Sequence, residues 1–281
     1  MMKDNLKILD VRGLWVHLCS GKKQIPLLRD VSLSLEPGEI LGVVGQSGAG
    51  KTMLARSLAG LLSPPARVTA GKIRYGGKLL DGAEPAAWNS LRGRGIFVMF
   101  QSAVQALNPS LTVGRQLSEA VAVGRKPGPG QRQKAGPGQG RKADVDPVRE
   151  LLGVVGLSPD LAGRYPFEIS GGMKQRIQVA TALALRPGVL IADEPTTGLD
   201  PVNQEVILGL LSALNRDFGT ALIFVSHDIR AVACISRKML VMEQGRVVEA
   251  GYSDQVVASP RSAGARHLVD NMIRLEEGIC P

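Results

Sequence analysis

A chain of 281 residues, 44% of them apolar, is long enough for one large domain or one domain with an embedded subdomain, and its 34 glycines and few aromatics suit a soluble α/β protein rich in turns. No stretch approaches the roughly 18 apolar residues of a membrane span, and Met1-Met2-Lys3-Asp4-Asn5 lacks a signal-peptide core, so a cytosolic chain is expected. The net charge of +9 would suit phosphate ligands or an anionic membrane face, although residues 124–147 alone contribute a net +4; Cys19, Cys234 and Cys280 lie too far apart for a metal set and read as reduced thiols.

In chain order, residues 6–36 alternate apolar and polar positions around a break at Gly21-Lys22-Lys23-Gln24, the pattern of an antiparallel β layer. Pro37-Gly38 turns into an apolar run, Ile40-Leu41-Gly42-Val43-Val44, that reads as a buried strand. Directly after it comes Gly45-Gln46-Ser47-Gly48-Ala49-Gly50-Lys51-Thr52, and then a helix over Met53–Ala59. Strand, glycine-rich turn and helix form the context a phosphate-binding loop requires. Gly45, Gly48 and Gly50 leave the backbone free to aim N–H groups at an anion, and the helix adds its positive end. Lys51 can reach the β- and γ-phosphates, and the Thr52 hydroxyl can ligate Mg²⁺.

Short strands over 67–82 extend the antiparallel layer, and a helix over Pro85–Leu91 leads to a core strand ending at Gln101. From Ser102 the pattern turns helical, with segments at Val113–Val123 and Val148–Val155. Between them, Gly124–Ala143 has no hydrophobic anchor and reads as a mobile loop within 124–147; without aromatics to stack bases it makes a poor RNA-binding arm. A helix over Met173–Leu185 follows, then a buried strand, Val189-Leu190-Ile191-Ala192, ending in Asp193-Glu194. A helix over Val202–Phe218, a strand over Thr220–Val225 ending at His227, and a hairpin about Gln244-Gly245 complete an α/β alternation with a mostly parallel sheet. The tail from Ser259 reads as a short helix with Leu268, Met272 and Leu275 on one side.

Four further sites carry chemistry: the Asp193-Glu194 pair, Gln101, His227 and Ser170-Gly171-Gly172. Asp193 falls at a strand's carboxyl end beside the phosphate loop, where it can hold Mg²⁺ through water, and Glu194 is aimed to polarise an attacking water. Gln101 can contact both Mg²⁺ and water, and His227 can hydrogen-bond the γ-phosphate. Ser170-Gly171-Gly172 opens a helix with a serine cap and two small residues, making a second anion-binding start. One chain binding one ATP has no evident use for two such starts, unless ATP is sandwiched between two subunits.

These residues, in this order, resemble the nucleotide-binding subunit of an ATP-binding cassette (ABC) transporter over about residues 6–260. Gly45–Thr52 matches the Walker A motif, Gln101 the Q-loop, Ser170–Arg176 the signature, Val189–Glu194 Walker B with its catalytic glutamate, Gly198-Leu199-Asp200 the D-loop and His227 the switch histidine. The resemblance implies a P-loop NTPase (RecA-like) core with a mostly parallel sheet, an antiparallel β layer, an inserted helical subdomain at 102–182, and a tail at 261–281. It implies ATP and Mg²⁺ as ligands, with Asp200 at the nucleotide. The implied partners are a second ATPase subunit, two membrane permeases that grip this chain near Gln101–Gly114, and a periplasmic or extracellular substrate-binding protein. The chain would sit peripherally on the cytoplasmic face of the inner membrane, with no nucleic-acid partner. Neither the coiled-coil or zinc insertions of DNA-repair relatives nor a second Walker A is present. Ile169 replaces the usual signature leucine, and Leu18, near Trp15 and His17, stands where family members present an aromatic to adenine, so affinity is expected to rest on phosphate contacts. Ala106-Leu107-Asn108-Pro109-Ser110-Leu111-Thr112-Val113-Gly114 and Tyr165-Pro166-Phe167-Glu168 resemble the dipeptide, oligopeptide and nickel importer branch. The short tail, with Cys280 alone, points within that branch to nickel or a metal chelate as cargo; the alternative is a di- or oligopeptide.

Overall fold

The structure, a computed structural model, describes residues 7–21, 23–80, 85–101, 106–125 and 146–276. Two sheets organise it. Strands β1 (Leu9–Ser20), β2 (Lys23–Leu35), β4 (Ala66–Tyr75) and β5 (Lys78–Leu80) form an antiparallel sheet in the order β2-β1-β4-β5. The second sheet runs β10-β9-β3-β8-β7-β6, from β3 (Ile40–Val44), β6 (Ile96–Met99), β7 (Val189–Asp193), β8 (Ala221–Ser226), β9 (Lys238–Glu243) and β10 (Arg246–Tyr252). All its pairings are parallel except β9 with β10.

β7 and β8 are buried on both faces, which is why they read as unbroken apolar runs. Their alternate residues feed two different cores. Val189 and Ile191 of β7, with Ile223 and Val225 of β8, pack toward the antiparallel layer together with Leu9, Leu14 and Leu35, and with Leu54 and Leu58 of α1 (Lys51–Leu58). Leu190 and Ala192, with Leu222 and Phe224, pack on the opposite side. There they meet Ile177 and Val179 of α5 (Gly171–Leu185), Ile207 and Leu211 of α6 (Pro201–Phe218), and Val232 of a short helix, Ile229–Ile235. Between β6 and α5 lie α3 (Val113–Gly124) and α4 (Pro147–Val154), capped by the Thr112 and Asp146 side chains, and 3₁₀ turns at Pro159–Gly163 and Pro166–Glu168. These pieces are the described part of the stretch between β6 and α5. Most of the expected 124–147 loop lies outside the described residues.

The helix Ile229–Ile235, capped by Asp228, and another at Ser253–Ala258 escape the sequence reading because each is too short to show a period. The last helix, Ala263–Glu276, buries Leu268 and Val269 in the second core, with Met272 packed against it. Because β3, β6, β7 and β8 are parallel, their carboxyl ends fall along one edge of the sheet, and that edge receives the chemistry.

Candidate functional site

The phosphate loop is braced from behind. Its first residue, Gly45, leaves β3 against the β9–β10 hairpin, where a Cβ would meet the Met242 carbonyl oxygen at 2.4 Å. Here glycine is required by close approach rather than by an unusual φ. Gly48 and Gly50 do adopt left-handed conformations, with φ of 81° and 100°, and Gly50 is the N-cap of α1. The hairpin turn holds the loop in place: Gly245 N–H donates to Ala49 O at 3.0 Å, and Arg29 N–H donates to Gly245 O at 2.8 Å. The hairpin turn thus sits between β2 and the loop and holds the loop at Ala49.

Five of the expected site residues come together on this edge. Lys51 is buried, and its Nζ donates to the carbonyls of Gly45 (2.7 Å) and Gln46 (3.1 Å) and lies 3.5 Å from Glu194 Oε1. The Thr52 hydroxyl donates to Asp193 Oδ1 at 3.4 Å. His227 Nδ1 lies 2.8 Å from Glu194 Oε2, with its ring half exposed. Glu194 itself is buried and sits at φ 51°, a left-handed conformation unusual for a side chain with a Cβ, with its N–H tied to Val225 O at 2.9 Å. That turn brings Thr197 back upon it, and the Thr197 hydroxyl donates to Glu194 Oε2 at 2.6 Å. Thr197 escapes a sequence reading, since nothing in its neighbourhood announces a chain reversal at a glutamate.

The two adjacent carboxyls are pushed in opposite directions. Burial raises Asp193 above the ordinary carboxylate range, and the neighbouring Glu194 charge adds to this; the Thr52 hydroxyl and the Lys51 and Arg56 charges offset only part. Burial acts on Glu194 in the same sense, but hydrogen bonds from Thr197 and His227, with the charges of His227 and Lys51, outweigh it and hold Glu194 below its usual value. A hard cation suits the first position. A buried carboxylate disfavoured as an anion, beside a hydroxyl oxygen, is the oxygen donor set that Mg²⁺ accepts together with phosphate and water.

The remaining expected residues line a separate cleft of about 620 Å³. Gln101, Ser170, Gly171, Gly172 and Asp200 face it, with Gln175, Arg176, Thr197 and Asn203. Ser170 caps α5, its hydroxyl accepting from Met173 N–H at 3.3 Å. Among the described residues a Cβ on Gly171 would meet nothing within 4 Å, and one on Gly172 would meet Leu199 at 3.5 Å and Asn203 at 3.8 Å. Asp200 caps α6 by accepting from Asn203 N–H at 3.0 Å, and Asn203 Oδ1 accepts from Arg176 at 2.6 Å, which ties α5 to α6. The Asn203 amides hold the Asp200 carboxyl below its usual value. The Gln175 Oε1 atom is buried without a hydrogen-bond partner among the described residues. Gln101, expected beside Mg²⁺, is exposed and lines this cleft, and among the described residues it makes no hydrogen bond to Thr52 or Asp193. On β1, His17 and Trp15 stack on each other, with centroids 5.9 Å apart, and His17 Nδ1 lies 2.7 Å from Thr69 Oγ1.

A glycine-rich loop at the end of β3, a buried lysine in it, and an Asp-Glu pair at the end of parallel β7, one strand removed across β8, define a P-loop nucleoside triphosphatase. The chain belongs to the ABC transporter family, whose model matches residues 28–197. It is 35% identical over 281 residues to the oligopeptide transport ATP-binding protein AmiE of Streptococcus pneumoniae serotype 4, covering 99% of this chain and 76% of that protein. It is 35% identical to the dipeptide transport ATP-binding protein DppD of Haemophilus influenzae, covering 97% and 80%. Its fold matches the ATP-binding cassette MJ0796, in a dimeric post-hydrolysis state bound to ADP and Pi, with a TM-score of 0.72 and 23% identity over 87% of this chain and 98% of that one. The chain is an ATP-binding transport ATPase with the α/β cassette fold.

Proposed function

We propose that this chain powers the import of di- or oligopeptides, hydrolysing ATP at the Lys51–Thr52–Asp193–Glu194–His227 cluster. The cargo reading is carried by 35% identity, across nearly the whole chain, to proteins named for oligopeptide and dipeptide transport. The metal-chelate expectation leaned on the length of the tail after Ser259, and that feature is outweighed by this end-to-end likeness.

In this reading the backbone N–H groups of residues 45–52 and the N-terminus of α1 take the phosphates, and Lys51 exchanges its carbonyl partners for phosphate oxygens. Thr52 and Asp193 would hold Mg²⁺, which when bound neutralises charge on the β- and γ-phosphates. Glu194, held ionised, orients the attacking water and draws its proton, and His227 beside it contributes to the γ-phosphate. Ser170, Gly171, Gly172 and Asp200 act across an interface, on nucleotide held by a second ATPase subunit, while Gln101 would serve Mg²⁺ and the attacking water. Two permeases, one gripping the Gln101–Gly114 region, and a substrate-binding protein complete the importer. A peripheral position on the cytoplasmic membrane face fits, since among the described residues no helix is long and apolar enough to cross a membrane.

Deleting the gene and following labelled dipeptide uptake beside nickel and cobalt uptake tests the cargo. Lost peptide uptake with unchanged metal accumulation is expected. The reverse result would return the cargo to a metal chelate and leave the ATPase reading standing.

A further inference from the structure

We infer that Thr197 is a positioning residue for hydrolysis: its hydroxyl pins one oxygen of Glu194, so that the other is left to face the attacking water. The inference rests on the reading of Glu194 as the group that activates that water.

The two oxygens of Glu194 have different surroundings. Oε2 has two neighbours, the Thr197 hydroxyl at 2.6 Å and His227 Nδ1 at 2.8 Å. Oε1 has Lys51 Nζ at 3.5 Å, longer than that ammonium's bonds to the Gly45 and Gln46 carbonyls. A triphosphate in the loop competes for the Lys51 ammonium, because phosphate oxygens are stronger partners than backbone carbonyls. Lys51 is drawn toward the nucleotide and Oε1 is released, while Oε2 keeps its anchors. A carboxylate held at one oxygen cannot swing, and its free oxygen keeps one direction, the preorganisation that general-base catalysis needs.

Thr197 suits this role because its own position is fixed. Its N–H donates to Glu194 O at 3.3 Å, closing the turn that the left-handed Glu194 begins. Gln204 Nε2, from α6, donates to the carbonyls of Thr196 (3.5 Å) and Leu199 (3.1 Å) and braces the same turn from below. The second anchor, His227, lies on the loop after β8 and is half exposed. Thr197 is the anchor that belongs to the same turn as the carboxylate it holds.

The test uses the full-length chain in its assembled transporter and compares Thr197→Val, which keeps shape and loses the hydroxyl, with Thr197→Ser, which keeps the hydroxyl. Thr197→Val should lower kcat by on the order of 10- to 100-fold, with nucleotide KM and direct ATP binding within about twofold, and Thr197→Ser should restore most of the rate. If Thr197→Val does not assemble, Thr197→Ala against Thr197→Ser gives the same comparison of hydroxyl absent and present. Equal kcat in the variants with and without the hydroxyl overturns the inference, as does a loss confined to KM. Glu194→Gln, measured alongside, separates the two readings. If it turns over normally, the role of Glu194 itself fails; if it is inactive while Thr197→Val is not, only the positioning role fails.

Discussion

Around Glu194, Lys51 finds two carbonyls and a carboxylate, and the Glu194 carboxylate meets a lysine, a threonine and a histidine, nearly all from buried or half-buried positions. Around Ser170 the picture is reversed. Gly171 has open space where a Cβ would go, Gln175 Oε1 is buried without a partner among the described residues, and Gln101 and Asp200 are exposed. Both regions lie on one chain and share Thr197, which lines the cleft and holds Glu194 with its hydroxyl. A site meant for chemistry within the chain satisfies its charges internally, because unpaired buried charge costs too much to keep. A surface that leaves polar groups and glycine backbone open suits contact with another molecule.

The sharpest way to break this contrast is inside the complete region. Glu194→Gln should lower kcat by about 100-fold or more while ATP binding persists, whereas Lys51→Ala should weaken binding itself, as equilibrium nucleotide titration of each variant would show. Near-normal turnover in Glu194→Gln would mean that the buried cluster is not where water is activated. Ser170→Ala probes the open region. Loss of the cap should cost about 1 kcal/mol of stability, read from the urea midpoint. In the assembled transporter the same change should lower ATPase activity about tenfold, yet whatever turnover the isolated chain shows should scarcely change. Equal losses in both settings would erase the distinction between the two regions.

The smallest effect concerns the Asp200 cap. Its carboxyl lies below the ordinary value through the Asn203 amides, so it stabilises the fold above 3.8, the ordinary value, and that contribution fades as pH falls through the depressed folded value. Asp200→Ala should therefore melt slightly lower than the parent near neutrality, with the gap closing in acid. A gap independent of pH would show that the cap acts through shape alone.

Much of this was legible in sequence where one physical constraint dominates. The runs Ile40–Val44, Val189–Ala192 and Ala221–Val225 are apolar because both faces of the sheet are covered. The grouping of Lys51, Thr52, Asp193, Glu194 and His227 followed from parallel strands ending together. What stayed hidden depended on single backbone conformations or on tertiary approach. Thr197 reaches Glu194 only because Glu194 is left-handed, and Gly45 is glycine because Met242 O stands where its Cβ would be. Against the second sheet packs the short helix Ile229–Ile235, whose one signal, the Asp228 cap, is too brief to weigh against a loop. The metal-chelate cargo was read from tail length, a feature with no physical tie to cargo in a subunit that acts on ATP.

The Gln244-Gly245 turn looks from the sequence like a hairpin tip, the place where chains most readily accept extra residues. Its hydrogen bonds to Ala49 and Arg29 make it instead a wedge between β2 and the phosphate loop. Length is therefore fixed at a point far along the chain from the residues it supports. An insertion there would displace the seat of the nucleotide without touching any group that binds it, and relatives that vary freely in their other turns should keep this one at constant length.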